Sequence, residues 1–354
     1  MASTGFALTF SLLDLSEPAD YPAGNAYGVN NAGEASVRWL SYGYKWDGSQ
    51  LVQIDSVRNV YENSINNLGH VAGYRQDTKY ATFYDGTQIV TIGNLGGSYM
   101  TSRAHDVNDS DVVVGKATDK NNIFQGYWWQ DGEIHALSKW GGGHSGAYGV
   151  NDLNEMVGYS ATYPVYWNAS HSIERLPGLG LTGGGDGTAY EINNLGEAVG
   201  NAETAEDFLH AVIWQRDQSG DFVITDLGTL GGEDSRAYAI NDSGWIVGDS
   251  QIISGSGVTQ GFVYTPLIGM VNANDLLDAS GSGYVIKYVH DVSDTGILGA
   301  TALKNGRYIP VLLTPDQNPM LPEPASIVFM ASGLAAVAGY CLRRRASRRT
   351  ASRS

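Results

Sequence analysis

Ala237-Tyr238-Ala239-Ile240-Asn241-Asp242-Ser243-Gly244-Trp245-Ile246-Val247-Gly248 reads as a strand, a turn and a second strand. Ala237–Ile240 carries apolar residues suited to a half-buried strand. Asn and Asp bond their side chains to nearby backbone, and Gly accepts positive φ without steric cost, so Asn241–Gly244 marks a tight hairpin turn. Trp245–Gly248 is the returning strand.

The phrase recurs. Copies begin at Ala26 (AYGVNNAGEASV), Ser64 (SINNLGHVAG), His105 (HDVNDSDVVVG), Ala147 (AYGVNDLNEMVG) and Ala189 (AYEINNLGEAVG), with a worn copy at His290 (HDVSDTGILG). The anchors Asn30, Asn66, Asn108, Asn151, Asn193, Asn241 and Ser293 are separated by 36, 42, 43, 42, 48 and 52 residues. Most copies continue into a third segment ending in an aromatic, such as Val165-Tyr166-Trp167 or Ala211–Trp214, and then a fourth, such as Phe222–Leu227. Four antiparallel strands in about 44 residues is the pattern of a propeller blade.

The seventh unit has only three strands, at Tyr288–Val292, Ile297–Ala302 and Tyr308–Leu313. Phe10–Leu15 echoes the missing fourth. The expected fold is therefore all-β: a seven-bladed β-propeller over residues 6–314, closed by pairing the N-terminal strand with the last three strands. The repeat anchors Asn30, Asn66, Asn108, Asn151, Asn193 and Asn241 are read as structural turn residues.

Composition agrees with many short strands and turns: 46 of 354 residues are Gly, and Tyr (21) outnumbers Phe (8). Six of the 21 basic residues, Arg343, Arg344, Arg345, Arg348, Arg349 and Arg353, crowd the end of the chain. With no acid after Glu323, the remainder holds 15 basic against 37 acidic residues. Such a body repels nucleic acid, which needs a basic footprint. The single cysteine, Cys341, leaves the main body without a disulfide of its own.

No catalytic constellation emerges. His70, His105, His135, His144, His171, His210 and His290 show no zinc-ligand spacing, so no metal site is read from them. His105-Asp106 and His290-Asp291 occupy the same slot in two units, which favours pairing with a neighbouring blade over a catalytic dyad. The glycine runs at 141–143 and 183–185 carry no Gly-Lys-Ser/Thr and feed no helix, so they read as blade connections. Calcium needs a dense Asp-x-Asp-x-Asp array; Asn108-Asp109-Ser110-Asp111 is the nearest approach and the one calcium candidate, and no other cofactor is expected.

Asp226-Leu227-Gly228-Thr229-Leu230-Gly231-Gly232, followed by Ser235–Asn241 and Gly248, resembles the HAF repeat of bacterial extracellular proteins. Partial copies stand at Gly93–Gly97 and Leu176–Gly180, and the His-Ala dipeptide at His210-Ala211. The resemblance implies export and a repeated β fold, and no particular reaction.

After a linker at 315–325, residues 326–342 form an uncharged stretch of about 25 Å as a helix, a candidate transmembrane helix, and 343–354 a basic cytoplasmic tail. Arg343, Arg344 and Arg345 hold that end on the cytoplasmic side, placing the repeats across the membrane. Pro322-Glu323-Pro324, the apolar run and the basic end together resemble the PEP-CTERM sorting signal. That resemblance implies membrane insertion, recognition by an exosortase through Pro322, Glu323 and Pro324, and a host that makes exopolysaccharide. Met1–Leu15 has no basic-then-apolar leader, so a leader encoded upstream is expected. The expected function is non-enzymatic: an exported, exosortase-sorted surface or matrix protein with a structural or binding role in the exopolysaccharide layer. The alternative is a secreted polysaccharide-active hydrolase or lyase using paired carboxylates at the propeller mouth.

Overall fold

The computed structural model describes residues 8–16, 24–39, 42–55, 64–99, 101–180 and 185–316. Seven four-stranded antiparallel sheets succeed one another along the chain. Blades 1 to 6 take their strands in sequence order, as in blade 4: Ser145–Val150, Met156–Ser160, Tyr163–Trp167 and Ile173–Arg175. Blade 7 joins Val285–Val292, Leu298–Lys304 and Arg307–Pro315 to Phe10–Asp14. The expected closure is present, with Phe10 opposite Pro315 and Asp14 opposite Val311. The Pro-Glu-Pro step, the candidate transmembrane helix at 326–342 and the terminal arginines lie outside the described residues. Among the described residues no helix is long and apolar enough to cross a membrane.

Blades pack through their third strands. Phe83 of blade 2 meets Trp129 of blade 3 with ring centroids 5.4 Å apart, and Trp167 and Trp214 are fully buried. Each hydrophobic cluster draws on two neighbouring blades, as where Tyr166 of blade 4 packs with Ile192, Val212 and Trp214 of blade 5. These aromatics are consumed by the core, which removes them from any external ligand.

Outside the repeat pattern, two short 3-10 turns, Ala273–Leu276 and Ala279–Gly281, lie between blades 6 and 7. They clasp the closing strand: Asp278 donates its N–H to the Phe10 carbonyl, and the Leu12 N–H donates to Ser280 Oγ at 2.6 Å. Phe10 is buried behind them, edge-on to Trp245 at 6.3 Å.

Candidate functional site

The first strand of every blade faces one axial cavity of about 410 Å³. The repeated phrase builds both its wall and its mouth.

The mouth is a double ring of hydrogen bonds. The Asn30 Oδ1 accepts the N–H groups of Ala32 and Glu34, fixing its own turn, while its Nδ2 donates to the Asn66 carbonyl of the next blade. Asn66, Asn108, Asn151, Asn193 and Asn241 repeat this donation to the following anchor at 2.9 to 3.1 Å. Ser293 is too short to continue it; its hydroxyl serves its own turn, accepting the Ile297 N–H and meeting Thr295 Oγ1. The residue after each anchor makes the second ring. Asn31, Asn67, Asp109, Asp152, Asn194, Asp242 and Asp294 each donate a backbone N–H to the side chain of the next, at 2.7 to 3.0 Å, and Asp294 returns to Asn31. This second circle is complete.

The tight hairpin turn expected from Asn-Asp-x-Gly is present. The Gly33 N–H donates to the Asn30 carbonyl and Gly33 sits at φ +75°, a type I turn followed by a left-handed residue. Blades 3 and 4 fill that position with Asp111 (φ 59°) and Asn154 (φ 60°), the side chains best suited to it after glycine. Asp111 accepts from Asn66 Nδ2 and bonds His70 at 2.8 Å, and both carboxyl oxygens of Asp109 accept from Asn67. The carboxylates of Asp109 and Asp111 thus serve the neighbouring blade. Among the described residues no group of three or more His, Cys, Asp or Glu is arranged to hold a metal ion.

Below the mouth, a β-bulge decides what faces the axis. In blade 4, Ala147 pairs with Gly158 and Gly149 with Val157, leaving Tyr148 as the extra residue. Blades 1, 3, 5 and 6 bulge at Tyr27, His105, Tyr190 and Tyr238, and blade 7 at His290. Adjacent residues of a regular strand point to opposite faces; a bulge re-aims one of them. Except at Gly149 in blade 4, both the bulge residue and its successor therefore line the cavity. The bulged backbone crowds the partner strand, where an added Cβ on Gly115, Gly158, Gly200 or Gly248 would stand 1.9 to 2.0 Å from a carbonyl oxygen. This accounts for the closing Gly of the copies in blades 3 to 6.

The bulge residues form an aromatic belt. His105 meets Tyr148 at 4.4 Å, Tyr148 meets Tyr190 at 5.5 Å, Tyr190 meets Tyr238 at 5.8 Å, and His290 meets Tyr238 at 6.2 Å and Tyr27 at 4.9 Å. Two residues before each anchor stand Gly28, Ser64, Asp106, Gly149, Glu191, Ala239 and Asp291, small and acidic in turn from blade 2 to blade 7. Acids stand in blades 3, 5 and 7.

Asp106 accepts the Val150 N–H of the next blade at 2.8 Å and the Ser64 hydroxyl of the previous one at 2.5 Å. Asp291 accepts the N–H groups of Val29, across the seam, and of Val292, both at 2.8 Å. The expected pairing of His105-Asp106 and His290-Asp291 with adjacent blades is made by the aspartates. Among the described residues Glu191 accepts only the Ile192 N–H, through one oxygen, and leans over Gly149, where any side chain would collide with it. Sequence reasoning overlooked Glu191 because no histidine precedes it; its place two residues before the anchor was the available signal.

Glu191 and Asp291 still touch the open cavity, but protein encloses them on the other sides, and this governs their titration. Burial, then the charges of Asp106 and Asp291, holds the Glu191 carboxyl well above its ordinary range. Burial pushes Asp291 up to about 6 against its two amide bonds, and raises Asp106 as well. His290 is pushed down to about 4 by burial and is neutral at pH 7.

The other histidines lie away from this cavity. His135 and His171 stack on the two faces of Trp128, at 4.2 and 4.8 Å, and His210 bonds Asp226 at 2.9 Å. His144 accepts the Phe124 N–H.

No protein-family model and no curated protein matches the chain. Its likeness to solved structures is one of fold. Virginiamycin B lyase from Staphylococcus aureus superposes with a TM-score of 0.51 at 12% identity, over 87% of this chain and 99% of that one. A streptogramin B lyase gives 0.50 at 10% identity, over 87% and 98%. The extracellular domain of a one-component system from B. thetaiotaomicron gives 0.50 at 9% identity, over 85% of this chain and 39% of that one. At these identities only the propeller architecture is shared.

Proposed function

We propose that this chain is an exported, non-enzymatic binding propeller, sorted by an exosortase through its tail into the exopolysaccharide layer. The carrying observation for binding is the axial cavity: a preformed concavity with aromatic and polar walls is the usual form of a small-ligand site. The tripartite end of the sequence supports the address. Pro322, Glu323 and Pro324 would be read by the exosortase while residues 326–342 hold the chain in the membrane and Arg343, Arg344 and Arg345 stay inside. Fractionating cells that make body-tagged protein with and without the last 33 residues tests this. Full-length protein is expected in the envelope or medium and the truncated form to lose that distribution; two cytoplasmic forms would refute the address.

One observation favours the enzymatic alternative. Glu191, its carboxyl raised by burial beside two further carboxyls, has the character of a general acid, and glycoside cleavage uses an acid with a second carboxylate. Reducing ends released from the host's own polysaccharide, and abolished by Glu191→Gln, would establish that reading. Binding without turnover supports the module.

A further inference from the structure

Among the described residues, the cavity lining contains seven carboxyl residues, Asp106, Asp109, Asp152, Glu191, Asp242, Asp291 and Asp294, and no lysine or arginine. Like charges gathered in an enclosed space without counter-charge oppose folding, and neutral replacements of similar shape would relieve that cost. The backbone amides that hold Asp106 and Asp291 fix their positions without cancelling their charge. An asparagine side chain accepts the ring's backbone N–H in place of an aspartate, as the Asn31–Asn67 contact demonstrates. Fold closure therefore does not account for the acids.

What the cavity lacks is a cation, and its walls discriminate between kinds. A bare divalent ion takes a compact set of oxygens, an arrangement absent among the described residues. Tyr27, Tyr148, Tyr190 and Tyr238 instead offer ring surface around the axis, which attracts organic ammonium groups and packs against sugar rings. The exposed leucines at the turn tips, Leu68, Leu153 and Leu195, add apolar surface beside the acidic ring.

We propose that the axial cavity recognises a glycan bearing a free protonated amino group, with the ammonium among Asp106, Glu191 and Asp291 and the sugar against the tyrosine belt. This rests on the reading of the propeller as a glycan-binding module and names the glycan's chemistry. Calorimetric titration of the full chain with a β-1,4-linked glucosamine tetramer, and with the same tetramer fully N-acetylated, tests it. The two probes share a backbone and differ in charge. The free amine is expected to bind at least 10-fold more tightly. Glu191→Gln should erase most of that preference while the fold, followed by circular dichroism, stays intact. Glu206→Gln, an exposed acid away from the cavity, should leave it unchanged. Equal affinity for both tetramers, or equal loss in the two variants, overturns the proposal. If neither tetramer binds but the host polysaccharide does, the amine assignment fails and the binding module stands; if no glycan binds, both fall.

Discussion

Asp291 and His290 are neighbours whose protonation acts on stability in opposite senses. Asp291 has its carboxyl raised from 3.8 to about 6, so its proton favours the folded state. Its contribution is complete below pH 4 and lost as pH climbs through about 6. His290 is lowered from 6.5 to about 4; its contribution is present above pH 6.5 and lost as pH falls through about 4. The wild-type profile sums the two, together with Asp106 and Glu191 nearby, so a difference measurement isolates the acid. Relative to wild type, Asp291→Asn should gain about 2 kcal/mol between pH 4.5 and pH 7.5, at about 1.4 per pK unit. Urea denaturation at the two pH values checks this; a pH-independent difference would refute it. Ser293 gives a second residue-scale prediction. Ser293→Asn should supply the missing donor to Asn30 and stabilise the protein by about 1 kcal/mol, read as a rise in melting temperature.

At the scale of the element, the bulge links a sequence habit to the cavity. Gly200 sits opposite the Ala189/Glu191 bulge, and its added Cβ would lie 2.0 Å from the Thr188 carbonyl oxygen. Gly200→Ala should cost about 3 kcal/mol or more, because backbone must move. Gly142→Ala, with open space around it, should change stability by less than about 0.5 kcal/mol. Comparable denaturation midpoints for the two would argue against the bulge as the reason for the repeated glycine. Much of this element was legible beforehand: strand, turn, strand and the aromatic third strand follow from alternation and turn chemistry. The bulge was not, because one extra residue in a short strand leaves the apolar pattern almost unchanged. With it went the site: alternation puts Tyr190 and Glu191 on opposite faces, whereas the folded strand turns both toward the axis. The 3-10 clasp at 273–281 also escaped notice, since it belongs to one inter-blade connection and has no copy to compare.

For the whole molecule, blade count and closure followed from counting anchors and finding a strand deficit at one end with a surplus at the other. The cavity needed the third dimension: its lining residues come from seven segments spread over 268 positions, from Tyr27 to Asp294, and nothing local announces that they meet. Closure also fixes how the molecule should fail. Removing residues 1–14 strips Phe10–Asp14 from blade 7 and leaves Arg307–Pro315 as an open edge. The truncated protein should melt at lower temperature and self-associate through that edge, visible as larger species by size-exclusion chromatography; a monomer with unchanged melting temperature would show that the closing strand is dispensable. The inner acids carry a further consequence. Going round the circle from blade 3 to 5 to 7 and back, the steps are two, two and three, and no partial revolution of the wheel maps that sequence onto itself. A guest entering along the hub therefore meets a lock with a single bearing, although the hub that holds it is built from seven near-copies of one phrase.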